Sequence, residues 1–161
     1  KAATYRLGHH VCADDASLAL RGLRTLALRL DQQESTALSV AKWLQNHPAV
    51  HSVWHPALPS HPGHALWKRD FSGATGLFSM VLKRGTRAHT AALVDQLAHF
   101  GLGFSWGGYE SLVLPVELTG IRTATQTNLP GPIVRLSMGL EDAADLITDL
   151  DTGLARYQAQ F

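Results

Sequence analysis

The sequence predicts an α+β domain: a small, mainly antiparallel sheet with helices packed on one face, preceded by a long helix. Three observations carry this. Apolar residues recur at helical spacing from Asp15 to about Asn46, and two later runs, Gly76–Lys83 and Ile133–Leu140, have the composition of strands. Several of the turns between elements are also too short to serve as parallel crossovers.

Taken in order, Lys1–Val11 shows no clear period. Asp14 is a good N-cap for the long helix, which sets Leu20, Leu23, Ala27, Leu30, Ala37, Ala41 and Leu44 on one side. Gly22 and the polar run Asp31–Ser35 are the places for a bend, and Pro48 closes the helix. Val50–Trp54 reads as a short strand. The next stretch, His55–His64, holds three prolines and a glycine and is a loop; Ala65–Asp70 reads as a short helix. Gly76–Lys83, apolar on both faces in its middle and closed by Arg84-Gly85, is the strongest strand signal.

A further helix starts at Thr86 or Thr90, buries Ala91, Leu93, Val94, Leu97 and Ala98, and ends at Gly101. Ser111–Val116 is a strand whose Pro115, lacking an N–H, puts its latter part near an edge or a strand end. Thr119–Pro132 is a polar loop. Ile133–Leu140 is the strand that bears Arg135. Asp142 then begins a helix with Asp145 in its acidic first turn and Leu146, Ile147, Leu150 and Leu154 on one face.

Composition narrows the partners. The 161 residues make one domain with enough chain to bury a core, and the net charge of +1 leaves no electrostatic footprint for nucleic acid or an anionic membrane. No stretch approaches the ~18 apolar residues of a membrane span. Small molecules, or further copies of the chain, are the expected partners, and the cytoplasm the expected compartment. A single cysteine, Cys12, excludes an internal disulfide and reads as a small buried hydrophobe. His47, His51, His55, His61 and His64 lack any accompanying Cys, His-Glu-x-x-His or spaced carboxylate. They are expected to make cap and loop hydrogen bonds, and no metal site is expected. Arg21, Arg24 and Arg29 read as a solvated or interface face.

The site-like stretch is Phe104-Ser105-Trp106-Gly107-Gly108-Tyr109-Glu110-Ser111, where glycines permit sharp turns and aromatics can wall a pocket. Gly103-Phe104-Ser105-Trp106-Gly107 matches the G-x-S-x-G nucleophile elbow literally. That chemistry needs a helix after the serine and a histidine later in the chain. A strand follows instead, and all nine histidines lie at or before His99. Arg135, a guanidinium among apolar strand residues, points to an anionic ligand.

Six segments in order carry a family resemblance: Leu20–Leu26, His55–Pro59, Trp67–Phe71, Gly76–Ser79, Ser105–Gly108 and Arg135–Asp142. On these the chain resembles the C-terminal domain of the cystathionine β-lyases, pyridoxal-phosphate (PLP) enzymes of cysteine and methionine metabolism with the aspartate-aminotransferase fold. The resemblance implies that 1–161 is the small domain of a larger enzyme whose large domain carries the PLP lysine. Lys1, Lys42, Lys68 and Lys83 lack the family's lysine motif, so no catalytic and no cofactor-binding residue is assigned, and the chain alone is expected to be inactive and to hold no PLP.

By the same resemblance Arg135 grips the substrate α-carboxylate with a two-pronged donor, Ser105 and Trp106 lie along that carboxylate, and Phe104 and Trp106 wall the pocket. Tyr109 and Glu110 are scaffold. Trp106 favours the β-lyase over γ-synthase and γ-lyase relatives, which usually carry Leu-Gly-Gly after that serine and His-Pro-Ala downstream, where this chain has Leu114-Pro115-Val116-Glu117. The implied reaction is β-elimination of cystathionine to homocysteine, pyruvate and ammonia in a homo-oligomer, a tetramer for the full enzyme, with the long helix building subunit contacts. A non-enzymatic assembly module that dimerises through that helix, or a related PLP enzyme of cysteine and methionine metabolism, a γ-synthase or γ-lyase, is the alternative.

Overall fold

A computed structural model describes residues 1–118, 120–121 and 128–161. Five strands, β1 (Val50–Trp54), β2 (Leu77–Leu82), β3 (Phe100–Leu102), β4 (Ser111–Val116) and β5 (Ile133–Ser137), form one sheet in the order β1-β2-β5-β4-β3. Six helices accompany them: α1 (Ala2–Arg6), α2 (Ala13–Leu23), α3 (Leu26–Gln45), α4 (His64–Asp70), α5 (Ala91–Val94) and α6 (Ala143–Gln158). None of the described helices is long and apolar enough to cross a membrane.

The main core lies on one side of the sheet. Phe78, Met80 and Leu82 of β2, Val113 of β4, and Val134 and Leu136 of β5 are buried against Ala37, Val40, Ala41 and Leu44 of α3 and Leu146, Leu150 and Leu154 of α6. Each such leucine contributes about 1.5–3 kcal/mol relative to exposure. Strand side chains alternate between faces, so the intervening residues point the other way. Register aligns Ser79, Arg135 and Leu114 in one half-buried row across β2, β5 and β4 on that second face.

The α+β architecture agrees with expectation, and three of the four strand pairings are antiparallel. The fourth, β3 with β4, is parallel, and β3 itself was not expected. The helix expected to run to Gly101 is a 3-10 turn, Arg87–Thr90, and the single turn α5. It stops because the Asp149 carboxylate of α6 accepts from the N–H groups of Ala98 and His99, at 3.0 and 2.8 Å, and turns the chain into the sheet. Ile133–Leu140 pairs as a strand only as far as Ser137, after which Met138 N–H donates to Gly76 O at 2.8 Å.

The long N-terminal helix is two helices broken at Arg24 and Thr25, next to Gly22. Thr25 N–H and Arg29 Nη2 both donate to the Gly22 carbonyl, at 3.3 and 3.0 Å. Asp31–Ser35 runs inside α3 without a bend, and α2 is capped by Cys12 Sγ, which accepts from Asp15 N–H, rather than by Asp14. Leu20, Leu23, Ala27 and Leu30 are exposed, as is Cys12. The reason is where α3 meets the core: its buried residues begin only at Gln33. The polar loop read over 119–132 falls on residues 119 and 122–127 outside the described ones.

The histidines do cap turns. In His47-Pro48-Ala49, His55-Pro56-Ala57 and His61-Pro62-Gly63 the histidine Nδ1 accepts from the N–H two residues on, at 3.2, 3.2 and 3.0 Å. Among the described residues no group of three His, Cys, Asp or Glu is arranged to hold a metal. His55 is buried against the Phe78 ring, and among the described residues its Nε2 has no partner.

Two predictions follow from this packing. A Cβ at Gly153 of α6 would lie 2.7 Å from the Leu93 carbonyl. Alanine favours a helix over glycine by about 1 kcal/mol, but overpacking against fixed backbone costs about 1–3 kcal/mol. Gly153→Ala should therefore lower the thermal midpoint, and a rise would contradict the packing. Burial holds the His55 pKa below 6.5. The unfolded chain then binds a proton that the native state refuses, so this contribution is complete above 6.5 and is lost as pH falls towards the lowered native value. His55→Asn keeps an acceptor for Ala57 N–H and removes the titration, so denaturant midpoints compared between about pH 7 and pH 5 should fall less in the variant than in the parent.

Candidate functional site

The parallel alignment of β3 and β4 dictates the site. Phe100 pairs with Ser111 and Leu102 with Val113, so residues 103–110 must travel from the far end of β3 back to the start of β4. Parallel neighbours ordinarily need a crossover of about a dozen residues or more. Here the return is short, and the loop folds over the second face of the sheet. It begins beside Arg135, which is level with Leu114, and passes Ser137, which is level with Leu112.

The loop is fastened almost wholly through its backbone. Arg135 Nη2 donates to the carbonyls of Gly103, Phe104 and Ser105 at 3.0, 2.9 and 3.1 Å, a fan of three acceptors over two hydrogens. Gly107 N–H donates to Ser137 Oγ at 3.3 Å, and Gly107 itself takes φ +79, which favours glycine. Gln33 Nε2 of α3 donates to Gly108 O at 2.6 Å, and Leu140 N–H donates to Tyr109 O at 2.8 Å. At the loop's end the Glu141 carboxylate accepts from Ser111 N–H at 2.8 Å and Ser111 Oγ–H at 2.7 Å, while Ser111 Oγ accepts from Gly139 N–H at 2.8 Å.

The side chains are left free by this arrangement. Phe104 is 83% exposed, Trp106 63% and Tyr109 73%, and Ser105 is exposed as well. Among the described residues neither Ser105 Oγ nor Arg135 Nε and Nη1 has a hydrogen-bond partner. Phe104, Ser105 and Trp106 are thus exposed on a loop whose backbone is held by Arg135, a cation oriented from the central strand. Such an arrangement suits a small anion attached to an apolar group. Tyr109 and Glu110 belong to the same loop, with the Tyr109 backbone held to Leu140.

Gln33 and Glu141 escaped the sequence reading as functional candidates. Gln33 had a signal: it stands one turn before Ala37 on the stripe that continues through Val40, Ala41 and Leu44, and a polar residue on a buried stripe demands a partner. Glu141 was visible only as part of the segment Arg135–Asp142. A cofactor bound through a lysine has no holder in this chain. Lys1, Lys42, Lys68 and Lys83 are all exposed.

Comparison with known proteins gives one family. Residues 1–155 match the Cys/Met metabolism PLP-dependent enzyme family. The chain is 48% identical over 156 residues to a cystathionine beta-lyase of Salmonella typhimurium, covering 94% of this chain and 40% of that one. It is 44% identical over 151 residues to an L-alanine/L-glutamate racemase of Wolbachia pipientis, covering 92% and 38%. The crystal structure of a cystathionine gamma synthase from Xanthomonas oryzae, in complex with aminoacrylate and cysteine, superimposes with a TM-score of 0.79 at 39% identity, covering 91% of this chain and 39% of that one. The chain thus spans about two fifths of the length of the relatives it matches.

Lys42, Lys68 and Lys83 are exposed. Incubated with one equivalent of PLP, reduced with borohydride and digested, the 161-residue chain should show no preferred adduct on Lys42, Lys68 or Lys83. Stoichiometric trapping on one of them would overturn this.

Proposed function

Since this chain belongs to the Cys/Met metabolism PLP-dependent enzyme family, we propose that it supplies the substrate-carboxylate site of a carbon–sulfur lyase that carries out β-elimination on cystathionine. The products would be homocysteine, pyruvate and ammonia. The observation that carries the reading is Arg135: a guanidinium set in the central strand and turned by three loop carbonyls so that its plane is held, one of them from Ser105, whose hydroxyl has no partner among the described residues. PLP, when bound by a domain that bears its lysine, supplies the electron sink for such eliminations. The residues of this chain bind and orient the amino acid.

Nη2 lies on both two-pronged edges of the guanidinium, so a carboxylate taken in that manner shares it with the loop carbonyls or displaces one of them. Trp106 supports the β-lyase within the family, and the β-lyase relative at 48% identity agrees with it. A γ-synthase is the second reading, supported by the likeness of the fold to the Xanthomonas enzyme. The proposal extends to a small domain working beside a larger lysine-bearing one, and to a homo-oligomer. Exposed Leu18, Leu20, Leu23 and Leu28 on α2 and α3 support the latter, being more apolar surface than an isolated helix pair needs.

Arg135→Ala in the PLP-loaded full-length protein should cost about 2–5 kcal/mol of transition-state binding, and Arg135→Lys should recover only part, since it keeps the charge without the planar donor. Selectivity between an amino-acid substrate and its carboxamide is the measurement. Wild type should prefer the acid strongly and Arg135→Ala far less; a variant that rejects the amide as firmly as wild type would sink the assignment.

A further inference from the structure

The proposed carboxylate site depends on a loop, 103–110, whose own side chains make no hydrogen bond among the described residues, which raises the question of what sets its height above Arg135. Two groups outside the loop reach its middle and its end. Gln33 is 2% exposed, and its amide meets Gly108 O at 2.6 Å. The Glu141 carboxylate takes both donors of Ser111, whose oxygen in turn receives Gly139 N–H. The approach there is close: a Cβ at Gly139 would strike Tyr109 O and come within 2.5 Å of Glu141 Oε2.

Neither group is needed for the core. A leucine at position 33 would extend the apolar stripe of α3 without the desolvation that a buried amide suffers. Glu141 stands on the connection between β5 and α6, where the helix cap is already provided by Asp142, whose Oδ1 accepts from Ala144 N–H at 2.7 Å. What the two share is the backbone of 108–111. That backbone continues directly into Trp106 and Ser105, and the carbonyls of Ser105 and of the two residues before it orient Arg135.

We propose that Gln33 and Glu141 are positioning residues of the carboxylate site: without touching substrate, they fix the backbone of residues 105–111 against the strand bearing Arg135, and Gln33 ties that placement to α3. This rests on the carboxylate reading of Arg135 given above. Release of either tie should leave the fold intact and let the loop rise, so that substrate is bound more weakly while the chemical step, once substrate is seated, changes less.

The test uses the full-length protein loaded with PLP, with Gln33→Leu, which keeps volume and removes the donor, and Glu141→Gln, which cannot accept both bonds from Ser111. Amide hydrogen exchange and kinetics are read together. Expected are about three- to tenfold faster exchange of the Gly107, Ser111 and Gly139 amides with β2 and α6 unchanged, and a similar rise in KM that exceeds the change in kcat. The thermal midpoint of Gln33→Leu should not fall. Wild-type exchange and KM in both variants would overturn the proposal, as would slowed turnover at unchanged KM; in either case loss of acid-over-amide selectivity in Arg135→Ala would still uphold the site. Should that selectivity survive in Arg135→Ala while loop exchange rises in the other two, the site reading fails and the tie between loop and strand stands.

Discussion

Everything at the candidate site follows from one constraint: β3 runs parallel to its neighbour β4, yet only residues 103–110 join them. A chain that must reverse direction within that length cannot pass behind a helix and return. It is laid over the open face of the sheet, where its polar backbone needs partners. Arg135, Ser137, Gln33 and the 139–141 segment supply them. An exposed aromatic loop is in this way made rigid by the backbone it would otherwise leave unsatisfied.

The two faces of the sheet accordingly do different work. The helical face is a close-packed layer of leucines, valines and alanines, and it accounts for the stability of the domain. The second face buries Val81, Ile133 and Leu112 but also carries polar groups. Its central row, Ser79, Arg135 and Leu114, is half-buried under the loop. Arg135 serves this face twice. Its Nη2 collects loop carbonyls, and among the described residues its remaining donors have no partner. A lysine could satisfy one or two carbonyls but would not hold a donor plane in fixed orientation. Placing the guanidinium on the central strand, bonded on both sides by β2 and β4, gives it a backbone held along both edges.

What could be read from the sequence followed the strength of local signals. Strands β1, β2, β4 and β5 and helices α4 and α6 have strong local signals, apolar runs bounded by turn residues or, for α6, an Asp142 cap, and each lies within a residue or a few of its expected range. β3 was illegible because Phe100-Gly101-Leu102 is too short for alternation and contains a glycine; only its pairing with β4 makes it a strand. The helix before it was overextended because Leu97 and Ala98 suit a helix, and the carboxylate that ends it, Asp149, comes from an element far along the chain. Leu20, Leu23 and Leu30 keep perfect helical spacing yet face no part of this sheet, since periodicity reports that a face is apolar and not what covers it. The candidate site was more legible: Phe104, Ser105 and Trp106 are exposed on the loop whose backbone Arg135 holds. The ties that hold it were not, because a glutamine bonding a carbonyl 75 residues away leaves no local trace beyond its place on a buried stripe.

The most direct test of the account is a crystal structure of the full-length, PLP-loaded protein with an unreactive amino acid bound. The account predicts the ligand carboxylate within hydrogen-bonding distance of the Arg135 guanidinium and beside Ser105 and Trp106, with Gln33 still on the Gly108 carbonyl and Glu141 still on Ser111. A carboxylate bound elsewhere, with Arg135 still turned into the Gly103–Ser105 carbonyls, would contradict it.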